Sequence, residues 1–299
     1  MSPARFSLVV VIHDSGPDLE RLLTSLESHL EPAPELIVVD SASRDGGADL
    51  ARTAGATVIE LEENAGFGAA NNAGVARASH PVCALLNPDV ELLDGRLPEL
   101  VARAAGRHEL LAPRLLNSDG TIQRSAHPVP GAVSALLPAL LHPRVLPRAV
   151  RERADPWRST RPRVVGWAIA ACLVARTDVL RALGPFDPDA FLFYEDLDLG
   201  LRARAAGIPT VLHPDVVLRH RGGHSTRPAY GGEPHELLAR RRREVVGARL
   251  GTRALRLDDA AQILTFASRA GGRLVLGRDS ARERAQLSAM RTARQKRPS

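Results

Sequence analysis

The chain is poor in the residues that mark several protein classes. Only 3% of its 299 residues are aromatic, and it carries two cysteines. A single-strand nucleic-acid binder interleaves Tyr or Phe with Arg or Lys so that bases can stack. No basic stretch here has that pattern, which speaks against nucleic acid as a partner. Cys83 and Cys172 each sit inside an apolar, β-like run, a setting that suits reduced, buried thiols better than a disulfide framework. No run approaches the ~18 apolar residues needed to cross a bilayer. The first residues also lack the basic start, apolar middle and small-residue cleavage site of a secretory signal. The expected address is therefore cytoplasmic, or peripheral on the inner face of the cell membrane.

What is present excludes disorder: 44% of residues are hydrophobic and 25% charged, enough for one large α/β domain or two modest ones. The net charge of +6 is carried almost wholly by arginine and is unevenly placed. From His235 to Ser299 there are about sixteen Lys/Arg against about six Asp/Glu, so the basic surface belongs to the tail. Such a tail suits an anionic membrane surface.

Phe6 to Ile12 is a continuous β-branched and apolar run, the pattern of a central parallel strand covered on both faces. After Ser15-Gly16-Pro17-Asp18, the residues Leu19, Leu22, Leu23, Leu26 and Leu30 recur at helical spacing. Leu36 to Val39 reads as a second strand, Ala48 to Ala54 as a helix, Thr57 to Leu61 as a third strand. A helix opens at Asn64-Ala65-Gly66-Phe67-Gly68 and runs through Ala78, and Val82 to Leu86 is a fourth strand. This alternation predicts a doubly wound nucleotide-binding half over residues 1–110. Beyond it, Leu111 to Leu115 and Thr121 to Arg124 flank the turn-forming Asn117-Ser118-Asp119-Gly120, predicting a hairpin and a mixed sheet over residues 111–233. Val164 to Val174 reads as one strand, Asp178 to Leu183 and Glu195 to Ala206 as helices, and residues 234–299 as an Arg-rich helical tail.

In an open parallel sheet, ligands sit beyond the carboxyl ends of the strands, and the polar residues of this chain gather there. His13 and Asp14 end the first strand, Asp40 the second, Asn64 and Gly66 follow the third, and Asn87-Pro88-Asp89 ends the fourth. Asp40 reads either as an acceptor for a ribose hydroxyl or base N–H, or as a helix cap. The Gly66 loop either lets backbone approach a ligand or is a plain turn. Asp89 is either a carboxylate holding Mg²⁺ or Mn²⁺ against a departing diphosphate, or a turn cap behind proline. Glu195 and Asp196 open a helix, as dipole-favoured acids or as a base at a desolvated rim. His220 and His224 lie in a glycine-rich loop, where imidazoles suit Mn²⁺ better than Mg²⁺.

Taken in order, these segments resemble the family 2 glycosyltransferases of the GT-A fold, in particular the bacterial rhamnosyltransferase-like branch, over about residues 5 to 226. The carrying motifs are Val38 to Gly46, Asn64 to Gly68 with Asn72-Ala73-Gly74, Leu85-Leu86-Asn87-Pro88-Asp89-Val90, Asp119 to Ser125, Val165-Gly166-Trp167, and Gly184-Pro185-Phe186-Asp187 running into Phe193 to Asp198. The resemblance implies that Asp40 binds the nucleotide and that Asn64, Gly66 and Asn72 shape the donor pocket, with His13 and Asn87 beside them. It implies that Asp89, the last residue of an Asp-x-Asp motif with Asn87 at its first position, holds the cation. It further implies that Asp196 is the base with Glu195 beside it, and that His220 is a metal ligand with His224 in reserve. Trp167 either stacks on a sugar face or packs in the core.

The implied chemistry is a single in-line displacement, inverting at the anomeric carbon, from a nucleotide diphosphate sugar to a saccharide or lipid-linked acceptor in cell-envelope polysaccharide assembly. Two positions depart from the resemblance: Ile169-Ala170 stands where a small Ser-Gly pair is frequent, and Ile12-His13-Asp14 replaces a hydroxyl-aromatic-Asn strand end. The Gln-x-x-Arg-Trp motif of the processive synthases is missing, so one sugar per encounter is expected. Two other classes compete. A nucleotidyltransferase would carry a Gly-rich, Lys-bearing loop where this chain has His13-Asp14-Ser15-Gly16. A non-catalytic, membrane-recruited module would not need Asp89 or Asp196.

Overall fold

The computed structural model describes residues 5–140, 147–188, 190, 192–222 and 233–295. Its centre is a nine-stranded mixed sheet, in which β3 (Thr57–Glu60), β2 (Glu35–Asp40), β1 (Ser7–Ile12) and β4 (Val82–Leu86) lie side by side and parallel. Of these, β1 and β4 are fully buried apolar runs and β2 is buried over residues 37–40 because helices cover both faces, whereas β3 at the edge is only partly buried. On one face Leu8, Val10 and Ile12 pack with Leu19, Leu22 and Leu26 of α1 (Gly16–His29), Ala51 of α2 (Gly47–Thr53) and Leu97, Leu100 and Val101 of α4 (Leu97–Ala105). On the other face Val9, Val11, Ile37 and Val39 meet Ala70 and Val75 of α3 (Gly66–Arg77). A Cβ on Gly74 would stand 2.3 Å from a Val9 methyl, so glycine there is what lets α3 lie so close to the sheet.

The second half continues the sheet with changed direction. Antiparallel β10 (Cys172–Arg176) follows β4, then β6 (Leu110–Leu116), β11 (Thr210–His220) and β5 (Val90–Leu92), with β8 (Arg163–Val165) also on β11. The mixed sheet is as expected, but two details are corrected. The tight turn at Asn117 to Gly120 forms, with Gly120 N–H on Asn117 O at 2.9 Å, yet its return arm is only a bridge from Leu116 to Ile122. Both edges of β6 are already taken by β10 and β11, leaving no ladder for a hairpin partner. The single strand read over Val164 to Val174 is three pieces. A Cβ on Gly166 would stand 2.2 Å from the Val129 nitrogen, so the two backbones touch there, and β9 (Trp167–Ala168) leaves the main sheet to pair with β7 (Ala126–His127).

Pro128 to Pro147 contributes a short 3-10 turn at Val133–Ala135 and α5 (Leu136–Leu140), followed by α6 (Arg148–Ala154). Then come α7 (Thr177–Leu183) and α8 (Glu195–Ala205). The tail is a long helix, His235–Val275, broken at Gly251 (φ 79°, ψ 175°), and a terminal helix, Ala281–Gln295. The break folds the long helix back on itself: Arg242 meets Asp258 through two hydrogen bonds of 2.8 Å, and Arg243 pairs with Asp259. Among the described residues no helix is long and apolar enough to cross a membrane.

Candidate active site

The carboxyl ends of the parallel strands form a hydrogen-bonded edge. His13 Nδ1 lies 2.7 Å from the Ser41 carbonyl, and the buried Asp40 accepts the Ser43 N–H at 2.9 Å. Ser41 Oγ donates to Asn64 Oδ1 at 3.3 Å, and the same oxygen accepts the Gly66 N–H at 3.1 Å. Gly66, at φ 80°, turns the chain into α3. Thus His13, Asp40, Asn64 and Gly66 are one connected rim. Asn72 is used elsewhere: its amide nitrogen donates to Phe186 O at 2.8 Å and its oxygen accepts Phe186 N–H at 3.0 Å. Both ends of that amide clamp the Gly184 to Asp187 loop onto α3, so Asn72 shapes the site through backbone rather than by reaching into it.

The second group lies one strand further along. Residues 87–89 leave β4 and enter β5, and β5 pairs antiparallel with β11 so that Val90 stands opposite His220. That register delivers His220 Nε2 to 3.2 Å from Asp89 Oδ1 and 3.4 Å from Asn87 Nδ2, across 133 residues of sequence in the latter pair. The other Asp89 oxygen accepts the Gly222 N–H at 2.9 Å. Burial works to raise the Asp89 carboxyl, but the His220 imidazole and the Gly222 N–H outweigh it and hold it below its usual value.

Gln123 fixes the tautomer of His220. Its nitrogen donates to Asn117 Oδ1 (3.1 Å) and to the His220 carbonyl (3.4 Å), both pure acceptors, so its oxygen is the atom facing His220 Nδ1 at 2.8 Å. A carbonyl oxygen can only accept, hence Nδ1 carries a proton, and Nε2, directed at Asp89, is the ring nitrogen left to serve as a ligand. The buried Asn87 Oδ1 has no hydrogen-bond partner. An imidazole nitrogen facing a carboxylate oxygen, beside an orphaned carbonyl oxygen, is a donor set that a divalent cation would satisfy. Among the described residues no three His, Cys, Asp or Glu side chains converge, so a cation held here would have Asp89 and His220 with the Asn87 amide as its protein donors. The remaining positions fall to a bound diphosphate or water. His224 lies outside the described residues.

The acids of α8 form the third group. Phe193 and Tyr194 both take positive φ, 74° and 63°, a strained pair immediately before Glu195 and Asp196. Asp196 accepts N–H bonds from Leu197 and Ala170, yet burial prevails and raises its carboxyl above the ordinary range. Glu195 is raised further by burial and then by the neighbouring Asp196 charge, and its Oε2 has no partner. Ala170 and Ala171 bridge the groups, because Ala171 O accepts the Asn87 N–H at 3.0 Å. Hence Ile169-Ala170, the departure noted in the sequence, runs between the acids and the Asn87-Pro88-Asp89 turn.

Trp167 does not offer a face to a sugar. It is 5% exposed, stacked on His127 at 4.2 Å and edge-on to Tyr194 at 6.3 Å. Gly200 of α8 lies so close that a Cβ would come within 2.6 Å of the Trp167 Cβ. The tryptophan is core that seats α8, so of its two readings packing holds.

With this geometry in place, comparison with known proteins decides the family. The profile described as glycosyl transferase family 2 matches residues 7–157. The chain is also 32% identical over 253 residues, 78% of its length and 80% of the relative's, to the N-acetylglucosaminyl-diphospho-decaprenol L-rhamnosyltransferase of Mycobacterium tuberculosis. The chain belongs to glycosyltransferase family 2. Its fold matches the mannosyltransferase PcManGT of Pyrobaculum calidifontis, solved with GDP-Man and Mn²⁺, at a TM-score of 0.60 and 16% identity, covering 100% of this chain and 84% of that one. GalNAc-T7, solved with UDP, GalNAc and Mn²⁺, gives a TM-score of 0.60 at 15% identity over 96% of this chain, which spans 54% of that larger protein. The architecture is therefore the GT-A fold, and this family 2 enzyme is a glycosyltransferase.

Two contributions to the glycosyltransferase site escape a reading by motif. Gln123 stands in a motif segment, but nothing local shows that it reaches His220. Arg249, in the tail, donates to Asp198 Oδ1 at 2.6 Å while Arg202 takes Oδ2 at 2.7 Å, and Arg242 lies over the Tyr194 ring at 5.7 Å. The tail thus braces α8 at the acids, with Val246 and Leu255 packed against Trp167, Leu197 and Leu201. A helical pattern with excess arginine gives no sign of these partners.

Proposed function

We propose that this glycosyltransferase is metal-dependent and inverting, and that it transfers a single rhamnose or similar hexose from a nucleotide diphosphate sugar to a lipid-linked saccharide in cell-envelope polysaccharide assembly. The observation that carries the reading is His220, anchored at Nδ1 by Gln123, with its Nε2 facing Asp89 beside the orphaned Asn87 oxygen. Mg²⁺ or Mn²⁺ bound there would neutralise the departing diphosphate. Asp40, His13, Asn64 and Gly66 line the rim that receives the nucleotide. Asp196, lifted toward neutrality by burial, takes the acceptor hydroxyl proton, a contribution of roughly 10²- to 10⁴-fold. Glu195, raised by burial and by the Asp196 charge, holds its proton more tightly than an exposed glutamate and so limits the negative charge at that point. The sugar and the lipid-linked acceptor follow the name of the mycobacterial relative, and the cation follows both the donor set and the Mn²⁺ in the two structural neighbours. The basic tail places the enzyme against an anionic membrane on the cytoplasmic side, where such an acceptor is anchored.

A panel of thymidine and uridine diphosphate sugars, read as nucleotide release with Mg²⁺, Mn²⁺ or chelator, tests the reading. Release only with a divalent cation, and its loss in Asp89→Ala, is expected. Undiminished release in chelator would sink the metal assignment.

A further inference from the structure

Among the described residues six large hydrophobic side chains stand exposed, and five lie on one stretch of surface: Val133 (64%), Leu140 (56%), Leu274 (56%), Val275 (88%) and Leu276 (67%). Their neighbourhood is set by how α5 lies along the tail. The backbone at Gly131 approaches that of Ala254 so closely that a Cβ would stand 2.4 Å from its oxygen, and Ser268 Oγ donates to the Ala139 carbonyl at 2.7 Å. Val133 thus sits at the start of the second arm of the long helix, lining a shallow depression with Arg253 and Arg256. Leu140 sits beside Ser268, and Leu274 follows about 9 Å further along the same helix. The helix then ends in the Gly277 turn (φ 63°), which leaves Leu274-Val275-Leu276 at the convex tip of the hairpin made with the terminal helix.

Arginine brackets this apolar line. Arg253 and Arg256 flank its Val133 end, and Arg273 and Arg278 flank the tip, all exposed. Arg273 is engaged, donating to the Asp279 carbonyl and facing Glu283 at 3.7 Å, so Arg253, Arg256 and Arg278 carry the basic character of the edge. The result is an exposed apolar edge with guanidinium groups on its flanks. It matches a surface whose interior is apolar and whose headgroups are anionic.

We infer that Leu274-Val275-Leu276, continued by Leu140 and Val133, is a bilayer-docking edge that inserts between the headgroups of an anionic membrane while the flanking arginines hold the phosphates. This deepens the membrane association proposed above and is independent of which sugar the site transfers.

The test is co-flotation of the full-length protein with vesicles of phosphatidylcholine alone or mixed with phosphatidylglycerol, for the wild type, the triple variant Leu274→Ser, Val275→Ser, Leu276→Ser, and Arg253→Gln with Arg256→Gln and Arg278→Gln. Nucleotide release in solution and thermal melting are followed in parallel. The wild type is expected to float with the anionic vesicles. The serine variant should lose at least tenfold in vesicle affinity with melting and release in solution unchanged, and the glutamine variant should lose its preference for phosphatidylglycerol. No flotation of the wild type, or flotation of the serine variant equal to it, overturns the inference. So does a wild-type dimer that the serine variant converts to monomer, since the edge would then join two copies of this chain. Absent nucleotide release with intact flotation would count against the transferase reading and leave the docking edge standing.

Discussion

Replacing Gln123 by Met tests the ion site without touching a proposed ligand. The side chain keeps its length but loses the oxygen that accepts the His220 Nδ1 proton at 2.8 Å and the nitrogen that holds Asn117 and the His220 carbonyl. Free of that acceptor, the imidazole can rotate or change tautomer and turn a proton toward Asp89. The lost bond is worth about 1–1.5 kcal/mol by itself. Groups that orient a metal-bound histidine typically change affinity or activity by about 10–100-fold. The half-saturating Mn²⁺ concentration for nucleotide release should therefore rise about tenfold or more, while the rate at saturating Mn²⁺ falls less than about threefold. Gln123→Glu keeps an acceptor for the Nδ1 proton but sets a carboxylate oxygen against the Asn117 and His220 oxygens, so its half-saturating Mn²⁺ concentration should fall between those of the wild type and Gln123→Met. A Gln123→Met titration that superimposes on the wild type, with unchanged melting temperature, would refute the role given to Gln123 and with it the argument that His220 faces a cation.

Two further outcomes follow from the acids. Because burial raises Asp196, the acid limb of kcat/KM should lie above the usual carboxylate range, with activity rising as Asp196 loses its proton, and Asp196→Asn should lower the plateau by roughly 10²- to 10⁴-fold. A pH profile flat down to pH 4 in the wild type would contradict this. Glu195 is also raised, so the unfolded chain gives up that proton first and stability falls as pH climbs from the ordinary glutamate value through the folded one. Glu195→Gln should melt higher than the wild type at neutral pH and no higher near pH 4. Arg249→Ala removes one of two guanidinium partners from the buried Asp198 and should cost about 1.5–3 kcal/mol in urea unfolding, less if Arg202 takes over the freed oxygen.

The donor-side edge was legible because its strands are buried on both faces and read as unbroken apolar runs ending in polar residues. Asp40 and Asn64 could be placed at strand ends from periodicity alone. Spacing and composition left Asp89 and His220 as separate motifs that only the family resemblance assigned to one cation, since their meeting depends on β5, a three-residue strand too short to show a period. Trp167 illustrates a different limit. A tryptophan beside glycine reads equally as a sugar platform or as core, and what decides is Gly200 on α8, over thirty residues along, which admits the indole backbone at close range. The split of Val164 to Val174 into three strands was hidden for a related reason. Apolar composition records that a run is buried, but not that it changes sheets.

The placement of β11 has a consequence for how the enzyme comes into being. This strand lies inside the sheet, between β6 and β5, and brings His220 to a carboxylate made early in synthesis. As the last strand in the sequence, β11 completes a sheet whose other strands all precede it, so on the reading proposed above the Asp89–His220 pair requires the whole sheet, whereas the polar rim is drawn from its first parallel strands alone.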